Sequence, residues 1–400
     1  MNKKIISILV ILLILIVLIL GVLILRKDSV DTNTGFLGLF SGSGTNLPTS
    51  GDQPTTGDSS GGATSTTPLL GDNRLFQLTT FPALGKLLED RVVYYRRDLG
   101  HRYFIDTDGE NEERVSNFTI PAVTSVSIAD EGRVSVLLSL ESEVSPSFFS
   151  LQHTGTSTAA LLLPSPAVAA AVSPDGESVV FLEELESGSR VILSSPSLTD
   201  QTVLYNDAFK DFEISWVDAS HILLSSRPSA FRPGAGILIN INGTSSSLLD
   251  PMPALDINFS KNGTSYLYST IEEEILTLRV ASLLESSSAT IPVRTFAEKC
   301  AWSTETIVYC ATPLPTGDEN SVFPDDWLKG NVRFDDVLWK IDIENGTAEH
   351  VADMFGFDIV HLFANESFLL FNNKNDSTLW SLQLYEDVLP SPAPEGESDN

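Results

Sequence analysis

Six apolar residues recur along the chain at a long, near-constant spacing: Ile128, Val172, Trp216, Phe259, Trp302 and Phe363. The steps between them are 44, 44, 43, 43 and 61 residues. Each is followed by a short polar turn and then an apolar β-type run, at 134–138, 179–182, 222–224, 266–268, 307–309 and 368–371. A third run follows in every unit and a weaker fourth in most. A period in the low forties with four short strands per unit is the pattern of propeller blades. A preceding unit at 92–95, 103–105 and 114–116 brings the count to seven. The pattern predicts an all-β fold, a seven-bladed β-propeller over residues 72–388.

The last unit is incomplete, because acidic residues and prolines follow Leu384 where a fourth strand belongs. The orphan segment 74–78 can supply it. Leu75, Phe76 and Leu78 are therefore expected to pair with residues 379–384 and close the ring from both ends, leaving no bare edge. Asp108-Gly109, Asp175-Gly176, Asn242-Gly243, Asn262-Gly263 and Asn345-Gly346 are hairpin dipeptides that tolerate positive φ. The body has no long amphipathic helical period, which excludes a doubly wound α/β fold.

The 61-residue step contains an insertion, residues 313–336, in which Trp327, Phe323 and Phe334 stand among Asp318, Glu319, Asp325, Asp326, Asp335 and Asp336. A loop of this length in a compact domain is usually functional or disordered, and its aromatics argue against disorder. It is expected to fold back onto one face. Two roles are open to it. One is a binding patch anchored by Trp327 and Phe323, with Phe334, Asp325 and Asp326 beside them. The other is a cap in which Trp327 is simply buried.

The chain ends differ from the body. Residues 5–25 are almost wholly apolar and would span roughly 32 Å as a helix, enough for a bilayer core. No A-x-A-type cleavage site follows, so residues 1–27 are expected to be a cytoplasmic stub and an uncleaved transmembrane signal anchor. Residues 28–71 are rich in Ser, Thr, Gly, Pro and Asp and are expected to form a flexible linker. Residues 389–400 read as a disordered acidic tail. The expected location is the cell membrane, single-pass, with the propeller on the extracytoplasmic side.

Charge narrows the partners. The formal net charge is −29, with 53 acidic and 24 basic residues. A nucleic-acid binder needs a basic face, so that class is excluded. Cys300 and Cys310 flank the turn after Trp302, and pairing that hairpin places them opposite one another, within reach of a disulfide. Two buried thiols are the alternative.

Catalytic signatures are absent: there is no G-x-S-x-G elbow, no H-E-x-x-H and no G-x-x-x-x-G-K loop. None of the five histidines has another at metal-ligand spacing. No metal, cofactor or catalytic residue is expected.

The string Val172-Ser-Pro-Asp175-Gly176 resembles the blade turn of TolB-like and WD40-like propellers. GHRYFIDT (100–107), RVSNFTIP (114–121), EKCAWS (298–303), YCATPLPTG (309–317), FPDDWLKG (323–330) and FDDVLWKIDIENG (334–346) are more specific. Together they resemble a family of uncharacterised, single-pass propeller proteins from the envelopes of candidate-phylum, Patescibacteria-type bacteria. The resemblance implies a bacterial source and an envelope setting, and it brings no catalytic or ligand residues with it. The expected role is non-catalytic: a binding or scaffold module for an envelope protein, peptide or polysaccharide. The alternative is an extracytoplasmic hydrolase or lyase with its site at the central mouth of the ring.

Overall fold

The computed structural model describes residues 74–384 except 90, 117, 141–145 and 315–320. The anchor, linker and tail expected at 1–27, 28–71 and 389–400 lie outside these residues. Among the described residues no helix is long and apolar enough to cross a membrane.

Seven four-stranded antiparallel sheets follow one another along the chain. Blades 1 to 6 occupy residues 83–114, 123–162, 167–207, 212–253, 256–290 and 300–354, each with its strands in sequence order. The first strand of each blade faces the ring centre. First strands of successive blades touch, whereas fourth strands such as Ser157–Leu162 are largely exposed. The recurring apolar residues end these inner strands: Ile128, Val172, Trp216 and Phe259 are the last residues of Val123–Ile128, Ala167–Val172, Phe212–Trp216 and Asp256–Phe259. Inner strands therefore all start on one face, here called upper, and end on the other, called lower.

Alternation explains the core. In Phe212–Trp216, Phe212 and Ile214 are buried between blades, while Glu213 and Ser215 face solvent in the channel. Second strands such as Val179–Leu185 begin with a run of buried residues, because neighbouring blades cover both of their faces. The lower turns share one design. In Ser173–Ser178 the Asp175 carboxylate accepts from the Ser173 hydroxyl and the Glu177 N–H, and Gly176 takes φ +74°. Asn262 and Gly263 repeat it, with φ +72° at the glycine.

Blade 7 is composite. Its inner three strands are Ile359–Ala364, Phe368–Asn373 and Leu379–Gln383, and its outer strand is Leu75–Gln77. Leu75 pairs with Leu382, Phe76 with Ser381 and Gln77 with Trp380, and the Leu78 N–H donates to the Leu379 carbonyl at 2.9 Å. In blade 6 Cys300 pairs directly with Cys310, and a disulfide joins them across a Cα separation of 4.1 Å.

Candidate functional site

The insert joins the second and third strands of blade 6, so it emerges on the upper face. A single helical turn, Asp325–Leu328, ties it down. The Asp325 carboxylate accepts from the Ser229 hydroxyl at 2.9 Å and the Ala230 N–H at 2.8 Å, in the upper loop of blade 4. Asp326 turns back on its own segment, accepting from the Val322 N–H. Phe323 and Phe334 are half-buried and meet edge to face at 5.1 Å.

Trp327 is not a surface anchor: it is 1% exposed. Its ring stacks on Phe296 at 5.9 Å, and its indole N–H donates to Asp358 at 2.9 Å. A buried indole keeps its N–H only where an acceptor is at hand, and Asp358 supplies one. Asp358 and Asp336 share the ammonium of Lys299, each at 2.8 Å, and all three side chains are fully buried. Burial pushes the Asp336 carboxyl up, against the opposing pull of Lys299. The insert is thus pinned by an ionic cluster at the upper ends of blades 6 and 7, and the cap role describes Trp327.

Beneath the insert lies a chamber of ≈ 320 Å³ at the upper end of the channel. Two basic side chains line it. Arg97 donates through Nε to the Val123 carbonyl at 3.1 Å and through Nη1 to the Ser377 hydroxyl at 3.0 Å. Lys374 donates to the Trp327 carbonyl at 2.6 Å and lies 3.7 Å from the centre of its ring. Burial pulls the Lys374 pKa down, while the Asp358 and Glu298 charges oppose that shift. Among the described residues neither cation has a carboxylate at salt-bridge distance.

Glu298 and His361 line both this chamber and a second of ≈ 940 Å³ that opens toward the lower face. They mark the waist of the channel. Asp256 sits beside Glu298 and accepts from its backbone N–H at 2.6 Å. Solvent reaches Glu298 along the channel, yet protein surrounds its carboxyl. Burial, reinforced by the Asp256 charge, pushes Glu298 up to about 8, and burial lifts Asp256 to about 6. Both shifts favour the protonated form of the pair. His361 reaches the channel because the inner strand of blade 7 bulges: pairing skips from Val360 to Phe363, and His361 takes φ 50°. Burial and the Arg97 charge pull its pKa down, so it is neutral.

The remaining histidines are satisfied locally. His221 and His350 pair with Asp218 and Asp353. His101 bonds Thr119, and His153 is buried against Tyr95, Ser135 and Thr158. No group of three or more metal-ligating side chains occurs among the described residues.

Asp256, Glu298 and Lys374 were not singled out from the sequence, whereas Arg97 was, with Arg96, His101 and Arg102, as a basic cluster able to contact a carboxylate. A signal was present: Glu213 and Asp256 each stand three residues before a recurring apolar residue, and Glu298 stands four before Trp302. Superposing the repeats puts acids near one level of two successive inner strands and of the short turn, Ala297–Lys299, that leads into the third.

No family model and no curated protein matches the chain. Solved structures do match in fold. The β-propeller domain of the Trilobed protease from Pyrococcus furiosus superposes with a TM-score of 0.52 at 10% identity, covering 80% of this chain and 99% of that one. Virginiamycin B lyase from Staphylococcus aureus, a catalytically inactive variant with quinupristin, gives 0.52 at 12% identity, covering 78% and 99%. TolB from Acinetobacter baumannii gives 0.44 at 13% identity, covering 78% of this chain, which spans 63% of the length of TolB. The domain from the Trilobed protease has an open velcro topology, whereas here residues 75–77 close the ring. The shared feature is the propeller fold.

Proposed function

We propose that this propeller is a non-catalytic binding module whose working site is the chamber under the insert, and that it recognises its partner through an acidic group. The observation that carries this is the meeting of Arg97 and Lys374, neither neutralised by a carboxylate, in a chain of formal net charge −29. Both keep N–H donors free of protein acceptors, and a protonated Glu298 adds a donor nearby. The proposed setting is the outer side of a cytoplasmic membrane, with residues 1–27 as anchor and 28–71 as tether. The apolar run at 5–25 and the disulfide support it, since such bonds persist in oxidising compartments. The partner is then an envelope protein, peptide or polysaccharide bearing acidic groups.

Crosslinking in intact cells followed by capture, comparing the natural chain with Arg97→Gln/Lys374→Gln, tests this. The double variant should lose the captured partner. An identical set of captured molecules rejects the chamber as the working site.

The Asp256–Glu298 pair beside His361 favours a second reading, a hydrolase or lyase acting at the same mouth. Carboxyls of raised pKa facing a void are the equipment of general acid catalysis. In that case Glu298→Gln abolishes turnover of a bound glycan or peptide while leaving its binding intact. A chain that binds and never turns over its ligand removes this alternative.

A further inference from the structure

We infer that the chamber takes the free carboxyl terminus of a polypeptide whose last side chain is apolar. This rests on the binding role proposed for the same chamber and narrows it to one ligand chemistry.

The cations are held for a carboxylate. The carbonyl of Val123 and the hydroxyl of Ser377 fix the guanidinium plane of Arg97 from one side, leaving Nη2 without a protein partner among the described residues. Lys374 is clamped by the Trp327 carbonyl and ring, with two further N–H donors remaining. Ser377 and Lys374 lie on one turn of blade 7, so both donors belong to a single rigid corner. A carboxylate placed there receives charge-assisted hydrogen bonds at both oxygens.

The walls decide between acids. Leu84, Val360 and Leu328 give the chamber an apolar wall beside the polar side chains of Arg97, Lys374, Ser377, Asn372 and Asn373. A sugar acid would carry hydroxyls around its ring and set some of them against this apolar wall, where unpaired polar groups cost more than they return. An α-carboxylate with an aliphatic side chain leaves nothing polar unpaired except its own amide.

Size and access agree with a chain end. At ≈ 320 Å³ the chamber lies at the lower limit for ligand pockets and admits no folded surface. Leu328, 42% exposed, stands at its rim and gives apolar contact to residues preceding the terminus. Backbone and cationic capture of a terminal carboxylate beside a side-chain pocket is an established mode of peptide recognition.

The test is fluorescence polarisation with the full-length chain and pools of short fluorescein-labelled peptides ending in valine or leucine. One pool has free carboxyl termini and the other carboxamide termini. The free-acid pool should bind at least about tenfold more tightly, and Arg97→Gln should remove the difference. Equal binding of the two pools overturns the inference. So does an Arg97-dependent affinity for an acidic oligosaccharide without affinity for either pool, although the binding role of the chamber then stands. Failure of peptides and acidic oligosaccharides alike, in natural chain and variant, removes both.

Discussion

The ammonium of Lys374 lies 3.7 Å from the centre of the Trp327 ring and donates to the carbonyl of the same residue. One residue of the insert therefore positions a cation of the chamber and seals the ionic cluster below it. Trp327→Ala should cost about 3–5 kcal/mol, as for other fully buried aromatics. Trp327→Phe keeps the ring and removes the donor to Asp358, and should cost about 1–3 kcal/mol. Urea unfolding measures both, and a neutral Trp327→Ala would mean that the insert is dispensable to the fold.

The pairing of Leu75 with Leu382 predicts how the ring responds to truncation. Removing the residues up to Gln77 leaves the strand Leu379–Gln383 with an unpaired edge. The melting temperature should drop and the protein should self-associate. A truncated chain with the melting temperature of the parent contradicts the closure.

Two sites give stability opposite dependences on pH. Glu298 and Asp256 bind protons more tightly folded than unfolded, so the native chain holds the excess between about pH 4 and pH 8. Stability then falls as pH rises through that window. His153 has the other sign. Burial pulls it down to about 3, so below about pH 6.5 the unfolded chain takes up the proton and stability falls with pH. Urea midpoints measured across this range should decline on both sides. Glu298→Gln should flatten the alkaline decline and leave the acid limb in place, and His153→Gln should do the converse.

Reduction tests the cross-link. Cys300 and Cys310 are both fully buried in the hairpin of blade 6. Closing so short a loop is worth about 2–3 kcal/mol on the chain-entropy model. A Cys300→Ala/Cys310→Ala variant should melt several degrees lower and lose its sensitivity to reductant. Equal melting of the natural chain with and without reductant would show that the bond carries no stability.

The ring was legible because its signals are local or strictly periodic. Trp216 and Phe259 recur at one phase of the repeat, and Asn262-Gly263 marks its own turn. Strand 75–77 was legible for a different reason: the last unit lacked a member and an apolar triplet elsewhere had no partner. The chamber was legible only at Arg97, through its basic cluster. Arg97, Glu298 and Lys374 lie in blades 1, 6 and 7, and only ring closure brings blades 1 and 7 together. Trp327 allowed two readings, anchor and cap, that the sequence alone does not separate. An aromatic in an acidic loop looks like a free anchor until Asp358, thirty-one residues away, offers its N–H an acceptor.

Residues 75–77 leave the ribosome before any blade, yet their mate, 379–383, emerges after all of them. Until then blade 7 has only two of its four strands and the amino-terminal strand has nowhere to bind. A chain cut short by a broken message can assemble its early blades but cannot seal itself, and its open edges remain available to proteases.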